Sequence, residues 1–149
     1  MTNQTAKDFV AGCEAIRHSL FQAPEEVAAL PWRDGGWTRR QVLGHMIDSA
    51  ANNHQRFVRA ALDGRYLGPF YAQEGWVNAR GYNETPWPTL LAWWQAYHEI
   101  LKAVVERIPE DRLNAECRVG DDEPVTLRFL IEDYIVHQKH HLEQILCPS

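Results

Sequence analysis

The sequence predicts an all-α fold, a four-helix bundle with a long aromatic connection between the second and third helices, and three observations predict it. The chain has 149 residues, inside the range of roughly 100–200 typical of one folding unit, so a single domain over residues 1–149 is expected. Four segments repeat apolar residues at steps of three and four, which gathers them on one stripe of an α-helix. Each of these segments is bounded by residues that start or stop helices.

The first helix is expected over residues 5–21, with Phe9, Cys13, Ile16 and Leu20 on one stripe and Pro24 just beyond its end. A short helical turn can follow at 24–30, before Asp34-Gly35-Gly36 breaks the chain. Thr38 and Gln41 have the capping-box spacing, in which the threonine oxygen accepts from a first-turn N–H while the glutamine reaches back to the cap's own N–H. A second helix therefore spans 38–62 and ends at Asp63-Gly64, where glycine can turn left-handed. Residues 64–88, GRYLGPFYAQEGWVNARGYNETPWP, read as a long ordered loop or a pair of short helical turns, because so many aromatic rings must pack on something. The third helix covers 89–108, with Leu90, Trp94, Tyr97, Leu101, Val104 and Ile108 on one face and Pro109 stopping it. Gly120-Asp121-Asp122 and Pro124 suit a turn or small hairpin within 117–125, and the fourth helix runs over 126–146. The long second connection allows a topology other than simple up-and-down.

Composition excludes several functions. Fifteen Lys and Arg against twenty Asp and Glu leave a net charge of −5 without a basic run, so binding a nucleic-acid backbone is not expected. Apolar stretches such as residues 90–94 fall far short of the roughly 20 residues of a membrane span, and the N-terminal residues lack a signal-peptide core. The expectation is a soluble, cytoplasmic protein with no membrane partner. Cys13, Cys117 and Cys147 are odd in number and form no CxxC pair, which argues against disulfides and against a cysteine-rich zinc site. Cys13, on an apolar helix face, reads as a small hydrophobe rather than a nucleophile.

The functional signal is in the histidines. Three of the seven fall within IEDYIVHQKHHLEQIL on the fourth helix. His137 and His141 are four residues apart, so their rings rise from adjacent turns, roughly 40° apart around the axis. With Leu127, Ile131, Leu142 and Ile145 on one flank and Phe129 and Val136 on the other, this stripe is expected to point into the bundle. Such a pair is either part of a metal site or two core histidines bonded to neighbours. The second helix favours the metal: His45 shares a polar stripe with Thr38, Ser49, Asn52 and Arg56, with Asp48 and Asn53 at its margins, beside an apolar arc. Three imidazoles from two helices leave coordination positions open, as catalytic sites do. His140, on the other side of His137, is expected at the margin of the site, the alternative being that it replaces His141 as a ligand. His54 is expected to be a buried, hydrogen-bonded histidine, and His18 and His98 to be ordinary. Asp48 is a carboxylate ligand, an acceptor for an imidazole, a general base, or a solvated side chain. Asp133 and Tyr134 can orient His137 or touch a substrate, and Arg56 can hold an anionic substrate or neutralise a carboxylate.

The stretches GWTRRQVLGHMIDSAANNHQRF at 36–57 and EDYIVHQKHHLEQI at 132–145, with GYNETPWPTLLAWW at 81–94 in support, resemble the DinB/YfiT-like superfamily of small four-helix metalloproteins. The resemblance implies that His45, His137 and His141 bind a divalent metal, because one histidine of the family's second helix and an HxxxH pair of its fourth do so. It also implies a homodimer. Family members include transferases and isomerases that use a low-molecular-weight thiol, and others described as metal-dependent hydrolases.

The leading expectation is a metal-dependent enzyme on a small molecule, in which zinc or nickel, or else iron, binds a thiol and lowers its pKa so that the thiolate attacks an electrophile. The first alternative is a hydrolase using a water activated by the metal, with Asp48 or a neighbour as base. The second is a non-catalytic, metal-stabilised stress or interaction module. Phe70, Tyr71, Trp76 and Trp87 would then be exposed anchors for a partner; otherwise they cap the bundle's open end or complete a dimer contact.

Overall fold

The computed structural model describes residues 3–148. In chain order the elements are α1 (Gln4–Leu20), α2 (Arg39–Asp63), β1 (Arg65–Gly68), α3 (Gln73–Arg80), α4 (Trp87–Arg107), β2 (Glu116–Val119), β3 (Val125–Thr126) and α5 (Leu127–Leu146), with turns of 3-10 helix at Glu25–Val27, Tyr82–Glu84 and Glu110–Asn114. The four expected helices are α1, α2, α4 and α5, displaced by no more than two residues at either end.

Local chemistry accounts for their ends. Thr38 Oγ1 accepts from Gln41 N at 3.2 Å while Gln41 Oε1 accepts from Thr38 N at 3.0 Å, so the expected capping box forms. Gly64 closes α2 at φ +78°, its N–H reaching Ala60 O at 2.9 Å. No glycine follows α5. The fully buried Arg39 takes over its terminal carbonyls instead, donating to Ile145 O at 2.9 Å and to Cys147 O, and also to Leu30 O and Pro31 O.

Helices α1 and α2 each pack mainly against α4 and α5. Sequence neighbours α1 and α2 therefore face each other across a diagonal of the bundle, and so do α4 and α5, which is not up-and-down topology. The interior divides into a cluster around Phe9, Phe57, Leu101, Leu127 and Tyr134 and another around Ile16, Leu43, Met46, Trp87, Leu90 and Trp94. Burying each large apolar side chain is worth about 1.5–3 kcal/mol, so the fold does not depend on a metal. Polar links span the α4–α5 diagonal through this interior. Trp94 Nε1 donates to Gln138 Oε1 at 3.0 Å, Gln138 Nε2 donates to Met46 O of α2 at 3.1 Å, and His98 Nε2 meets the Tyr134 hydroxyl at 2.7 Å.

The aromatic connection is more structured than a loop. β1 pairs in parallel with β2, Arg65 opposite Glu116 and Gly68 opposite Val119, and β2 pairs antiparallel with β3 in the expected hairpin. The eight-residue α3 follows, and Tyr82 then lays its ring on Gly44 of α2, where a Cβ would stand 2.0 Å from the ring. Tyr82 and Trp87 are buried and Trp76 is half-buried, so these rings cap the bundle; Phe70 alone of the expected anchors is exposed. No described helix is long and apolar enough to cross a membrane.

Candidate metal centre

A cavity of about 540 Å³ opens between α2 and α5, and the end of the small sheet supplies part of its wall. Its α2 side is the stripe His45, Ser49, Asn53 and Arg56; its α5 side carries Asp133, His137, His140 and His141; Tyr71, from the strap after β1, closes in beside His45. The polar stripe expected on α2 is thus rotated slightly. Asn53 faces the cavity, whereas Asn52 folds back on Asp48 O and Thr38 is engaged by Asn83.

His45 and His141 meet across the two helices, ring centroids 4.5 Å apart and nearly perpendicular. His45 is 3% exposed, and its Nδ1 is buried with no hydrogen-bond partner. Burial, reinforced by the neighbouring His141 and His137, pushes its pKa down to about 4. The ring is therefore neutral near pH 7, as a metal ligand must be. Burial also lowers His141, whose Nδ1 lies 2.9 Å from Gln144 Oε1.

His137 does not point into the bundle as expected. Its side chain is 64% exposed, and its Nε2 lies 3.2 Å from Asp133 Oδ2. The reason lies in the phase of α5: Leu127, Ile131, Tyr134, Gln138, Leu142 and Ile145 are its buried residues, a stripe centred on Gln138 and roughly 100° around the axis from His137. Phe129 and Val136, read as apolar flanks, are 48% and 62% exposed. His137 consequently stands on the cavity rim, with the exposed His140 beside His141. Among the described residues no three His, Cys, Asp or Glu side chains form a ready-made donor cluster.

Asp48 departs further from expectation. It does not line the cavity and is neither solvated nor beside an imidazole nitrogen. Fully buried, it accepts from the Tyr82 hydroxyl at 2.5 Å and lies 3.6 Å from Arg80 Nε, while Trp76 and Trp93 stack about the Arg80 guanidinium. Burial raises its pKa against the opposing pull of Tyr82 and Arg80. It clasps the α3 segment to α2. Arg56 does reach the cavity: its guanidinium lies 6.0 Å from the Tyr71 ring, and no carboxylate among the described residues pairs with it.

His54 makes the expected hydrogen bond, to the Tyr97 hydroxyl at 3.2 Å, but is only half-buried. His98, read as ordinary, is 2% exposed at the centre of the bundle. Cys13 and Cys117 are buried, with thiols pushed up to about 12 and about 11, so neither supplies a thiolate near neutral pH. Sequence reasoning missed Gln138, the pin between α5, α4 and Met46 beside His45; its one signal was a polar side chain amid the apolar stripe of α5.

A known family's model matches residues 9–145 of the chain. The chain belongs to the DinB superfamily. A relative from Geobacillus thermodenitrificans (strain NG80-2) is 27% identical over 135 residues, covering 89% of this chain and 75% of its own length. YfiT of Bacillus subtilis (strain 168) is 28% identical over 116 residues, covering 77% of this chain and 65% of its own length. Both of these relatives carry provisional names as metal-dependent hydrolases. The solved structure of YfiT, described as a four-helix bundle of unusual topology, matches with a TM-score of 0.86 at 24% identity, over 98% of this chain and 86% of its own. That likeness shows a shared fold.

Proposed function

We propose that this DinB-superfamily chain is a divalent-metal-dependent hydrolase of a small molecule, with His45, His137 and His141 holding the metal at the cavity wall. One observation carries the reading: His45 is buried against His141 of another helix while its Nδ1 has no partner. An unsatisfied buried polar atom costs about 1–3 kcal/mol, and apolar packing alone gives no reason to keep an imidazole there. The donor set fits a metal of the zinc, nickel or iron type, since neutral imidazoles suit all three. His137, which faces outward on the rim, would complete it by swinging in, since no three donor side chains stand together among the described residues.

When bound, such a metal supplies Lewis acidity, which polarises a substrate carbonyl and makes water acidic enough to attack near neutral pH. The remaining work falls to the chain. Arg56 holds an anionic group of the substrate, and Tyr71, Phe129 and Leu130 form an apolar wall beside it. With Asp48 outside the cavity, proton transfer falls to groups on the wall, where His140 stands against His141 and Asp133 against His137. Hydrolysis is placed ahead of thiol transfer, reversing the order expected from the sequence, because the relatives' names support hydrolysis.

Elemental mass spectrometry of untagged protein, with hydrolysis of activated esters and amides measured alongside, tests the reading. Stoichiometric metal in the wild type, lost in His45→Ala and His141→Ala together with hydrolysis, is expected. A wild type that takes up neither zinc nor nickel on reconstitution overturns it.

A further inference from the structure

We propose that Gln138 is a positioning residue for the metal centre, a strut that holds α5 against α2 at the level where His141 meets His45. The inference rests on the metal-centre reading and adds to it what sets the separation and register of those two rings.

Both arms of the strut are buried hydrogen bonds. Gln138, 1% exposed, accepts through Oε1 from Trp94 Nε1 of α4 at 3.0 Å and donates through Nε2 to Met46 O of α2 at 3.1 Å. An indole N–H only donates and a backbone carbonyl only accepts, so one orientation of the amide satisfies both partners. Reversing it would set N–H against N–H and oxygen against oxygen. The α2 arm ends on the backbone, so it fixes the helix itself and not a side chain that can change rotamer.

The position of the strut gives it its consequence. Among the described residues, hydrogen bonds tie α5 to α2 at two levels: Arg39 donates to Ile145 O, and Gln138 donates to Met46 O. Along α2 the order is Arg39, His45, Met46; along α5, running the other way, it is Ile145, His141, Gln138. The histidine pair, ring centroids 4.5 Å apart, therefore lies between the two ties and close to the second. At about 1.5 Å of rise per residue, Met46 is one step from His45 and Gln138 about 4.5 Å from His141, whereas Arg39 is about 9 Å from His45. With Gln138 removed, α5 can pivot about the Arg39 tie, and apolar contacts, being non-directional, do not restore the register.

Stability alone does not ask for an amide here. The other buried residues of α5 are aliphatic save Tyr134, and a buried polar group is tolerated only where its hydrogen bonds are well made. A centre whose imidazoles come from separate helices does ask for a fixed separation, because metal–ligand distances are held to within about 0.2 Å.

Two variants break the strut in different ways. Gln138→Met keeps the length without the hydrogen bonds, and Gln138→Asn keeps the amide but is one methylene too short to reach both partners. Each is expected to weaken zinc binding to the folded protein about tenfold by chelator competition, the lower end of what supporting hydrogen bonds around a metal contribute. In the metal-free protein each should also lose the nuclear Overhauser contact between the rings of His45 and His141. The control is Leu101→Ala, a cavity-forming change in the other core cluster. It should lower the urea midpoint, keep the ring contact and hold zinc affinity within about twofold of the wild type, as a distant site does. A Gln138 variant that keeps the ring contact, or that binds zinc as tightly as the wild type, overturns the proposal. So does a zinc loss in Leu101→Ala as large as theirs, since general destabilisation then accounts for the effect. A wild type that binds no zinc defeats the metal-centre reading instead, and the metal-free ring contact still decides whether Gln138 positions the two histidines.

Discussion

His45 and His98 are almost equally buried, 3% and 2% exposed, and burial pushes both imidazoles down to about 4. Their surroundings differ. His98 has both nitrogens engaged: Nδ1 donates to Trp94 O at 2.7 Å, Nε2 accepts from the Tyr134 hydroxyl at 2.7 Å, and the ring stacks on Trp94 with centroids 3.9 Å apart. His45 lies against Trp37 and His141 at a cavity wall with Nδ1 unpartnered. Burial and a lowered pKa therefore do not mark a functional histidine. Closure of its hydrogen bonding separates the two, because a closed ring has repaid its desolvation within the fold and an open one has not.

The largest effect expected from breaking this contrast comes at the closed ring. His98→Ala removes a buried ring and strands the Tyr134 hydroxyl, so a loss of about 3–5 kcal/mol is expected by urea unfolding, with metal content per folded chain unchanged. His45→Ala breaks no hydrogen bond among the described residues and opens onto an existing cavity. It should cost the metal-free protein at most about 1–2 kcal/mol while removing the metal. Equal destabilisation by the two substitutions would erase the distinction.

Acid sharpens it next. Unfolded histidines titrate near 6.5, whereas His98 stays neutral in the fold down to about 4. Between those values the unfolded chain binds a proton that the folded chain does not, so this contribution is intact above about pH 6.5 and is lost as pH falls towards 4. For His98 the total is about 3 kcal/mol. Urea midpoints at pH 7 and pH 4.5 should separate by less in His98→Phe than in the wild type, and an unchanged separation would show that His98 is not the group responsible.

How far this contrast was legible in the sequence depends on the range of the interactions involved. The helix ends were legible because caps act locally: Thr38, Gln41 and Gly64 do what their spacing says. The pairing of β1 with β2 was not, since it joins residues some fifty positions apart and Arg65–Gly68 carries too short a pattern to announce a strand. The rings of His45 and His141 lie side by side at the cavity wall, the proximity that a shared metal would need. His137 was misplaced because spacing gives angles between residues on α5 but not where the buried stripe is centred, and Val136 and Phe129 pulled that centre the wrong way. Asp48 and His98 were misread for one reason. Their partners, Tyr82 with Arg80 and Tyr134, arrive from other elements, and a hydrogen bond across the bundle leaves no periodic trace.

The smallest expected effect tests closure itself. Tyr134→Phe keeps the ring that packs near Phe9 and Phe57, centroids 5.9 and 6.0 Å away, and deletes only the hydroxyl. His98 then becomes a buried imidazole with one unsatisfied nitrogen, the condition of His45, but without a cavity or a second histidine beside it. A cost of about 1–2 kcal/mol is expected, because the hydrogen bond goes and a buried acceptor is stranded. Adding His98→Phe should then cost less than it does in the wild-type background, since removing both partners strands neither. Metal content should be unchanged in both variants. If Tyr134→Phe instead costs nothing, the His98 hydrogen bond contributes no net stability, and an open nitrogen at His45 ceases to distinguish a site from a core.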